Sequence, residues 1–384
     1  MVEEAFSRAP VVLVVGPRGA GKRELLRRFA WRTGAGFLDL DEPGARATLE
    51  QSPRWARDYG AIAEVTRVPA ALSAVRREVR RSPGSRRFLL SASALNPGFP
   101  TQVEAFGDLL RVVRLWPLSQ GEIERRREGF LEGAFSARQP RPVWPAVGEV
   151  WERVSRGGFP EAVGLSPGER GRWFRGYLEW LVPELERRGP GPWTARVLDL
   201  LALIAERSGG FFSPGAATRV LATGGGSAYG YLDRLRKSFL VYRLDHWGPD
   251  PGEAPRHRPR YHLVDSGLAF FLAGQRRREN LLRSFVVLEL LKQASWYREE
   301  LRLGYFRPAR GGLVDLVLEG RDGVVAVSVW PEPGPPPRSA WAGLAALEGE
   351  LGERFLGGYL VHLGTRAREL GGRVWALPLS AVWG

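Results

Sequence analysis

A glycine-rich loop near the start of the chain carries the clearest chemical signal, and it reads Gly16-Pro17-Arg18-Gly19-Ala20-Gly21-Lys22-Arg23. Glycines at this spacing allow backbone N–H groups to surround phosphate oxygens, and the N-terminus of a following helix adds its dipole. Lys22 would then reach the β- and γ-phosphates of a nucleotide. An apolar strand-like run precedes the loop and a helical pattern follows it, so the context favours a phosphate-binding loop over a structural glycine turn.

The positions that would hold a magnesium ion beside this loop are changed. Phosphate-loop enzymes place a Ser or Thr directly after the lysine and an Asp at a neighbouring strand end, and both hold magnesium. Here these positions are Arg23 and Ala63. Glu64 is then the candidate for the carboxylate that activates water, or else an ordinary surface residue. The sequence predicts that ATP or ADP binds without magnesium and that hydrolysis is weak or absent.

Two interpretations of Arg23 stay open at this stage. Its guanidinium would supply the positive charge that magnesium normally supplies, and its fork of N–H donors matches phosphate oxygens. Alternatively, Arg23 fills an abandoned pocket and pairs with Glu64, and the chain then binds no nucleotide.

The elements that must position the loop alternate between strands and helices. Val11–Val15 is a β-branched run of the kind found in buried parallel strands. Helical stretches such as 70–81 separate the further strand candidates, which are 36–40, 61–65, 88–91 and 110–115. This alternation predicts a doubly wound parallel sheet, and we assign residues 1–135 to a nucleotide-binding domain within an α/β multidomain chain.

Residues 147–271 form a mainly helical region with the element order of a winged helix-turn-helix. Ser213-Pro214 is a helix start, Thr223–Gly226 is a glycine turn, and a hairpin follows over 239–264. Basic side chains on the last helix and the hairpin are candidates for contacts with DNA phosphates, namely Arg234, Arg236, Lys237, Arg256, Arg258 and Arg260. The alternative is a solvated basic face on a winged helix that serves only in packing.

The C-terminal residues 279–384 show an α-β-β-β-α-β order. Its elements are a helix over 281–294, strands over 303–306, 313–318 and 324–329, a helix over 340–351, and strands over 358–362 and 374–377. This order predicts a third domain of α/β class.

The whole chain is strongly basic, with a formal charge of +14 at pH 7 and a pI near 10.7. Such an excess indicates a polyanionic partner, and DNA is the first candidate, although a GC-rich genome explains part of the arginine excess. The sequence has no cysteine, which excludes disulfides, thiolate zinc sites and cysteine catalysis. No apolar run is long enough to cross a bilayer, so we expect a cytoplasmic protein with no membrane partner. Scarce Asn, Cys and Met suit a thermophilic source.

Further short motifs follow the loop in order, at Ala63–Pro69, Leu90–Ser93, Leu115–Ser119, Gly157–Glu161, Tyr261–Leu268 and Ser284–Lys292. Together with the loop they resemble a family of prokaryotic AAA-type ATPases whose C-terminal domain of unknown function is similar to PD-(D/E)xK nucleases. The resemblance covers nearly the whole chain. It implies a P-loop sheet domain, a winged-helix domain and a restriction-nuclease-like α/β domain.

The nuclease-like part departs from that family at its metal site. Such nucleases hold metal and activate water with a helix acid, a strand Asp and a Glu-x-Lys on the next strand. Glu289 and Asp315 match the first two, but the third position reads Ser328-Val329-Trp330. We therefore expect a structural or binding module without nuclease activity.

Three functional hypotheses are consistent with these features. The first is a degenerate AAA-type nucleotide-binding protein, a pseudoenzyme that binds DNA and acts by binding rather than by turnover. The second is an active ATPase that remodels DNA or protein, with magnesium held by unusual groups. The third is a structural partner of another protein, or of a second copy of this chain, that binds no nucleotide.

Overall fold

The computed structural model divides the chain into two compact units. The first comprises Met1–Pro117 and Arg234–Leu240, and the second comprises Leu118–Asp233 and Val241–Gly384. The residues described are 1–51, 55–82, 84, 86–96, 98–136, 150–186, 194–212, 214–221, 225–248, 257–274, 276, 278–308, 311–332 and 334–384. Parts of three features predicted from the sequence lie outside them, namely Ser213 at the helix start, Thr223 and Gly224 of the glycine turn, and Arg256 of the hairpin. Among the described helices, none has both the length and the apolar character needed to span a membrane.

The first unit is built on a five-stranded sheet of order β2-β3-β4-β1-β5, in which every pairing is parallel. Its strands are β1 (Val11–Val15), β2 (Gly36–Asp39), β3 (Tyr59–Ala63), β4 (Phe88–Ala92) and β5 (Leu110–Arg114). Its helices are α1 (Val2–Arg8), α2 (Lys22–Thr33), α3 (Pro43–Gln51), α4 (Pro69–Arg81) and α5 (Phe99–Glu104). The predicted parallel sheet is confirmed.

Strand β1 lies between β4 and β5, and all five of its residues are buried. An unbroken valine-rich run fits this place because a central parallel strand is covered on both faces. Val12 and Val14 pack with Leu26 of α2 and with Leu89 of β4. Since the carboxyl ends of parallel strands meet at one edge of a sheet, the glycine-rich loop that follows β1 lies at that edge, where open α/β sheets bind ligands.

The second unit combines helices with a six-stranded mixed sheet of order β12-β13-β11-β10-β9-β8 and a two-stranded hairpin. Its helices are α6 (Gln120–Glu124), α7 (Phe130–Phe135), α8 (Val150–Arg156), α9 (Pro160–Val163), α10 (Pro167–Glu186), α11 (Thr194–Glu206), α12 (Pro214–Leu221), α13 (Gly225–Lys237), α14 (Ser266–Ala273), α15 (Arg278–Ala294) and α16 (Ala342–Leu351). Its strands are β6 (Val241–Leu244), β7 (Arg260–Leu263), β8 (Arg302–Phe306), β9 (Val314–Glu319), β10 (Val324–Trp330), β11 (Phe355–His362), β12 (Arg368–Gly371) and β13 (Val374–Pro378). The residues of α13 from Arg234 onward are counted with the first unit.

The helices α11, α12 and α13 precede the antiparallel pair β6–β7, which is the order predicted for the middle region. Helix α13 begins at Gly225, inside the stretch predicted as a glycine turn. The winged-helix and nuclease-like assignments of these parts stay predictions. The short strand β12 was not predicted, because its sequence, Arg-Glu-Leu-Gly, has no apolar alternation and it lies at the sheet edge.

The units divide the chain differently from the predicted domains 1–135, 147–271 and 279–384. The segment after Pro117 belongs to the second unit, where the Gln120 backbone N–H donates to Glu289 at 2.7 Å and the Phe130 ring meets Tyr359 edge-on. Apart from residues 234–240, the predicted middle and C-terminal domains share that unit, in which Trp247 Nε1 donates to Glu319 at 2.9 Å.

Candidate phosphate-binding site

The glycine-rich loop has a backbone that only glycine accommodates at several points. Gly19 and Gly21 lie in the left-handed region, with φ of 81° and 95°. A Cβ on Gly16 would collide with the backbone carbonyl of Leu115, which follows β5. These glycines let the chain turn tightly from β1 into α2, whose first residue is Lys22.

The side chain of Lys22 is folded into this loop and is only 4% exposed. Its Nζ donates hydrogen bonds to the carbonyl oxygens of Gly16 and Pro17, each at 2.8 Å. Burial lowers the pKa of Lys22 to about 8, although the nearby charge of Glu64 acts in the opposite direction. A buried ammonium group held by neutral carbonyls gains a stronger partner when an anion enters the loop.

Arg23 takes a partner that the sequence did not indicate. Its Nε lies 2.6 Å from Oδ2 of Asp39, the last residue of β2, and its Nη2 lies 3.6 Å from Asp41. The interpretation that Arg23 pairs with Glu64 is therefore wrong. Burial raises the pKa of Asp39, even though the Arg23 charge opposes it. The Arg23 side chain is 48% exposed, so its outer N–H donors stay accessible at the carboxyl edge of the sheet.

Asp41 organises two further arginines beside the loop. Arg18 reaches both of its carboxylate oxygens, at 2.5 and 2.9 Å, and Arg67 Nε donates to it at 2.8 Å. Burial alone would raise the pKa of Asp41, but the hydrogen bonds and charges of Arg18 and Arg67 outweigh it and lower the value to about 2. Asp41 therefore stays ionised and fixes both guanidinium groups.

Glu64 is buried at the end of β3, so the interpretation as a surface residue is wrong. One carboxylate oxygen accepts the backbone N–H of Ser93 at 3.1 Å, and the Ser93 hydroxyl donates to the other. Its backbone N–H donates to the Ser91 hydroxyl, and its φ of 55° lies in the left-handed region. A non-glycine residue there costs about 1–2 kcal/mol, and such strain concentrates at functional sites.

The site therefore gathers four cations against three carboxylates at one edge of the sheet. The cations are Lys22, Arg18, Arg23 and Arg67, and the carboxylates are Asp39, Asp41 and Glu64. Over these seven side chains the formal charge is +1, and they lie beside the glycine-rich loop. No Ser or Thr follows the lysine, and Ala63 ends β3, so the protein ligands that phosphate-loop enzymes give to magnesium are missing.

The residues predicted to contact DNA differ in how far their side chains are exposed to solvent. Arg260 is fully buried in β7, and its Nη2 lies 3.0 Å from Oδ1 of Asp315, so it cannot meet a phosphate at the surface and that prediction is wrong. Arg258 is exposed, and its carbonyl accepts the Tyr305 hydroxyl at 2.6 Å. In the last turn of α13, Arg236 is exposed, while Arg234 and Lys237 are half-buried.

The two acids that match the nuclease-like pattern are engaged with cations of the protein. Glu289 is fully buried and accepts Lys292 Nζ at 2.6 Å. Asp315 is bound by Arg260 and Arg283 and also accepts the backbone N–H of Val329 at 2.8 Å. Within the described residues, no group of three or more His, Asp or Glu side chains is arranged to hold a metal ion.

Comparison with known proteins adds four similarities. Residues 148–279 match the model of a domain of unknown function, DUF8612. Two uncharacterized proteins, one from Mycobacterium tuberculosis and one from Mycobacterium bovis, are each 26% identical over 279 residues, which is 71% of this chain. The chain spans only 58% of the length of these curated relatives. Among solved structures it is similar to a Walker-type ATPase of Pyrococcus abyssi, with 16% identity, a TM-score of 0.46, and coverage of 71% of this chain and 93% of that one.

Proposed function

We propose that the first unit binds the phosphates of ADP or ATP without magnesium, and that the protein acts by binding rather than by hydrolysis. The observation that carries this proposal is the buried Lys22 ammonium inside a glycine loop whose Gly19 and Gly21 adopt left-handed backbone. The phosphates displace the two carbonyl oxygens that now hold the Lys22 Nζ. They thereby replace two neutral acceptors of the Lys22 ammonium with anionic ones, which form stronger hydrogen bonds with it.

Arg23 takes the place of the magnesium ion in this proposal. Asp39 engages Nε of its guanidinium, and this fixes the side chain at the loop. Its outer nitrogens, of which Nη2 lies 3.6 Å from Asp41, then donate to the phosphates. Arg18 is held differently, because Asp41 accepts hydrogen bonds from both its Nη1 and its Nη2, and so Arg18 adds positive charge beside the loop rather than a second free fork. Glu64 stays bound to Ser93 and, without a metal beside it, does not activate water.

The decisive test compares ADP binding in EDTA and in magnesium for the natural chain and two variants. We expect equal affinity in both buffers, about tenfold weaker binding for Arg23→Ala, and no change for Arg28→Ala. Arg28 is the matched control, since it lies on the same helix, pairs with Glu24 and is 74% exposed. Affinity that depends on magnesium, or that does not change in Arg23→Ala, contradicts the proposed role of Arg23.

Hydrolysis separates binding from turnover. The natural chain should show no ATP turnover above background, and the double change Arg23→Thr with Ala63→Asp should introduce magnesium dependence, because it restores both metal-binding positions. Steady hydrolysis by the natural chain that Lys22→Ala abolishes would favour the active-ATPase hypothesis instead.

DNA is the second ligand that we propose, on the strength of the +14 charge and of the exposed Arg236 and Arg258. Contacts to phosphates contribute affinity that falls steeply as salt rises, and removing them weakens binding to all sequences alike. Arg236→Glu and Arg258→Glu should each weaken binding and flatten the salt dependence, whereas Arg111→Glu, at an exposed position on β5, should not. If no DNA binds at low salt, the chain is better explained as a partner of another protein or of its own copy.

A further inference from the structure

A cavity of about 390 Å³ lies in the second unit, against the first turns of α15 and the end of β10. Its polar lining includes the side chains of Asn280 and Arg283 from α15 and of Trp330 from β10, together with the backbone of Gly209. The volume falls within the range of pockets that bind small molecules. This cavity is separate from the phosphate-loop site, which belongs to the first unit.

The wall beside α15 carries an uncompensated positive charge. Asp315 is fully buried and is shared by two guanidinium groups, with Arg260 Nη2 at 3.0 Å and Arg283 Nη1 at 2.8 Å. One carboxylate against two cations leaves a net charge of +1. Arg260 is itself fully buried, whereas the Arg283 side chain is 25% exposed and lines the cavity. The excess charge is therefore presented to the cavity by Arg283.

Neutral donors and aromatic rings complete the lining. Trp330 Nε1 is buried and has no hydrogen-bond partner within the described residues. A second cavity of about 290 Å³ shares Gly210 and Asn280 with the first and adds Arg207 and Phe211. Of the described residues that line either cavity, none is acidic. A polar cavity with cations and no acid favours an anionic ligand, and a flat aromatic side chain suits a base.

We propose that these two neighbouring cavities, whose linings share Gly210 and Asn280, together bind one nucleotide, with its phosphate on Arg283 and its base against an aromatic wall formed by Trp330 or Phe211. Arg283 keeps donors for the phosphate after binding Asp315, because a guanidinium carries five N–H groups and one of them is engaged there. The nucleotide is either free or the phosphorylated end of a single strand. Both sources present the same phosphate chemistry to Arg283.

Binding should be measured on the full chain carrying Lys22→Ala, so that the phosphate loop does not contribute. The probes are inorganic phosphate, AMP, and a short single-stranded oligonucleotide labelled at its 3′ end, with and without a 5′-phosphate. We expect AMP or the phosphorylated strand to bind, and the strand without its phosphate to bind at least about tenfold more weakly. If AMP binds and the phosphorylated strand does not, the ligand is a free nucleotide. If the phosphorylated strand binds, the ligand is the end of a strand.

Three variants locate the ligand. Arg283→Gln should weaken binding about tenfold or more, while Asp315 keeps Arg260 as its partner. Asn280→Asp places a carboxylate in the lining without touching that buried pair, and it should also abolish binding. Arg298→Gln, an exposed arginine of the same unit that pairs with Asp322, should change affinity by less than about twofold. The proposal is overturned if only inorganic phosphate binds, if no probe binds, or if neither cavity variant changes the affinity.

Discussion

The buried carboxyl of Glu128 should make the stability of the second unit depend on pH. Glu128 is 9% exposed, and its two oxygens accept the Ser119 hydroxyl at 2.8 Å and the Gly121 backbone N–H at 3.0 Å. Burial, followed by the nearby charge of Glu289, raises the pKa of Glu128 from 4.5 to about 7. The folded unit therefore favours the protonated acid.

The sign and size of the effect follow from linkage between proton binding and folding. The pKa of Glu128 is higher in the folded unit than in the unfolded chain. Its contribution to the free energy of unfolding is therefore fully present below about pH 4.5 and is lost as the pH rises through 7. Between pH 5.5 and pH 8 the loss amounts to about 2 kcal/mol. Glu128→Gln keeps a neutral group of the same shape at every pH. As the pH rises from 5.5 to 8, the free energy of unfolding of this variant should therefore rise by about 2 kcal/mol relative to that of the natural chain.

Urea unfolding at several pH values measures this difference, and hydrogen exchange on peptides from residues 118–135 assigns it to the second unit. Glu132→Gln is the matched control, because Glu132 lies in the same segment but its side chain is 57% exposed, and it should leave the pH dependence unchanged. Parallel stability curves for the natural chain and Glu128→Gln would refute the reasoning.

Two further predictions concern the ion pairs. Asp39→Asn should strengthen ADP binding about fivefold, since it leaves the charge of the half-exposed Arg23 uncompensated at the loop. Titration calorimetry measures this change. Weaker binding by the variant would contradict the prediction and show that Asp39 mainly orients Arg23. Asp315→Asn should lower the free energy of unfolding of the second unit by about 3–5 kcal/mol, because Arg260 is then buried without a carboxylate. Urea unfolding checks this second prediction, and a loss below about 1 kcal/mol would contradict it.

The first unit could be predicted from the sequence to a large extent. The valine run of β1 and the glycine loop are local patterns, and the observed β1 has the predicted bounds Val11–Val15. What the sequence did not indicate are partners across the sheet. Asp39 lies sixteen residues after Arg23 in sequence but 2.6 Å from it in space, and only the pairing of β2 with β3 in the sheet brings that strand end to the loop.

Charge patterns were less informative than apolar patterns in the second unit. Arg260 was predicted as one of several basic residues of the hairpin that contact DNA, yet β7 buries it against Asp315. An arginine and an acid 55 residues apart give no local signal of their pairing. Asp315 likewise matched a metal ligand by position, but its oxygens are bound by Arg260, Arg283 and the Val329 N–H. The cations around Asp315, which the sequence pattern did not reveal, determine its chemistry.

The central claim is that the loop holding Lys22 binds nucleotide phosphates without a metal ion. Titration calorimetry of ADP in EDTA, on the natural chain and on Lys22→Ala, tests it most directly. We expect saturable heat from the natural chain and affinity at least about tenfold lower for Lys22→Ala, because the variant loses the buried ammonium group of the loop. No heat from the natural chain, or equal binding by both proteins, would contradict it.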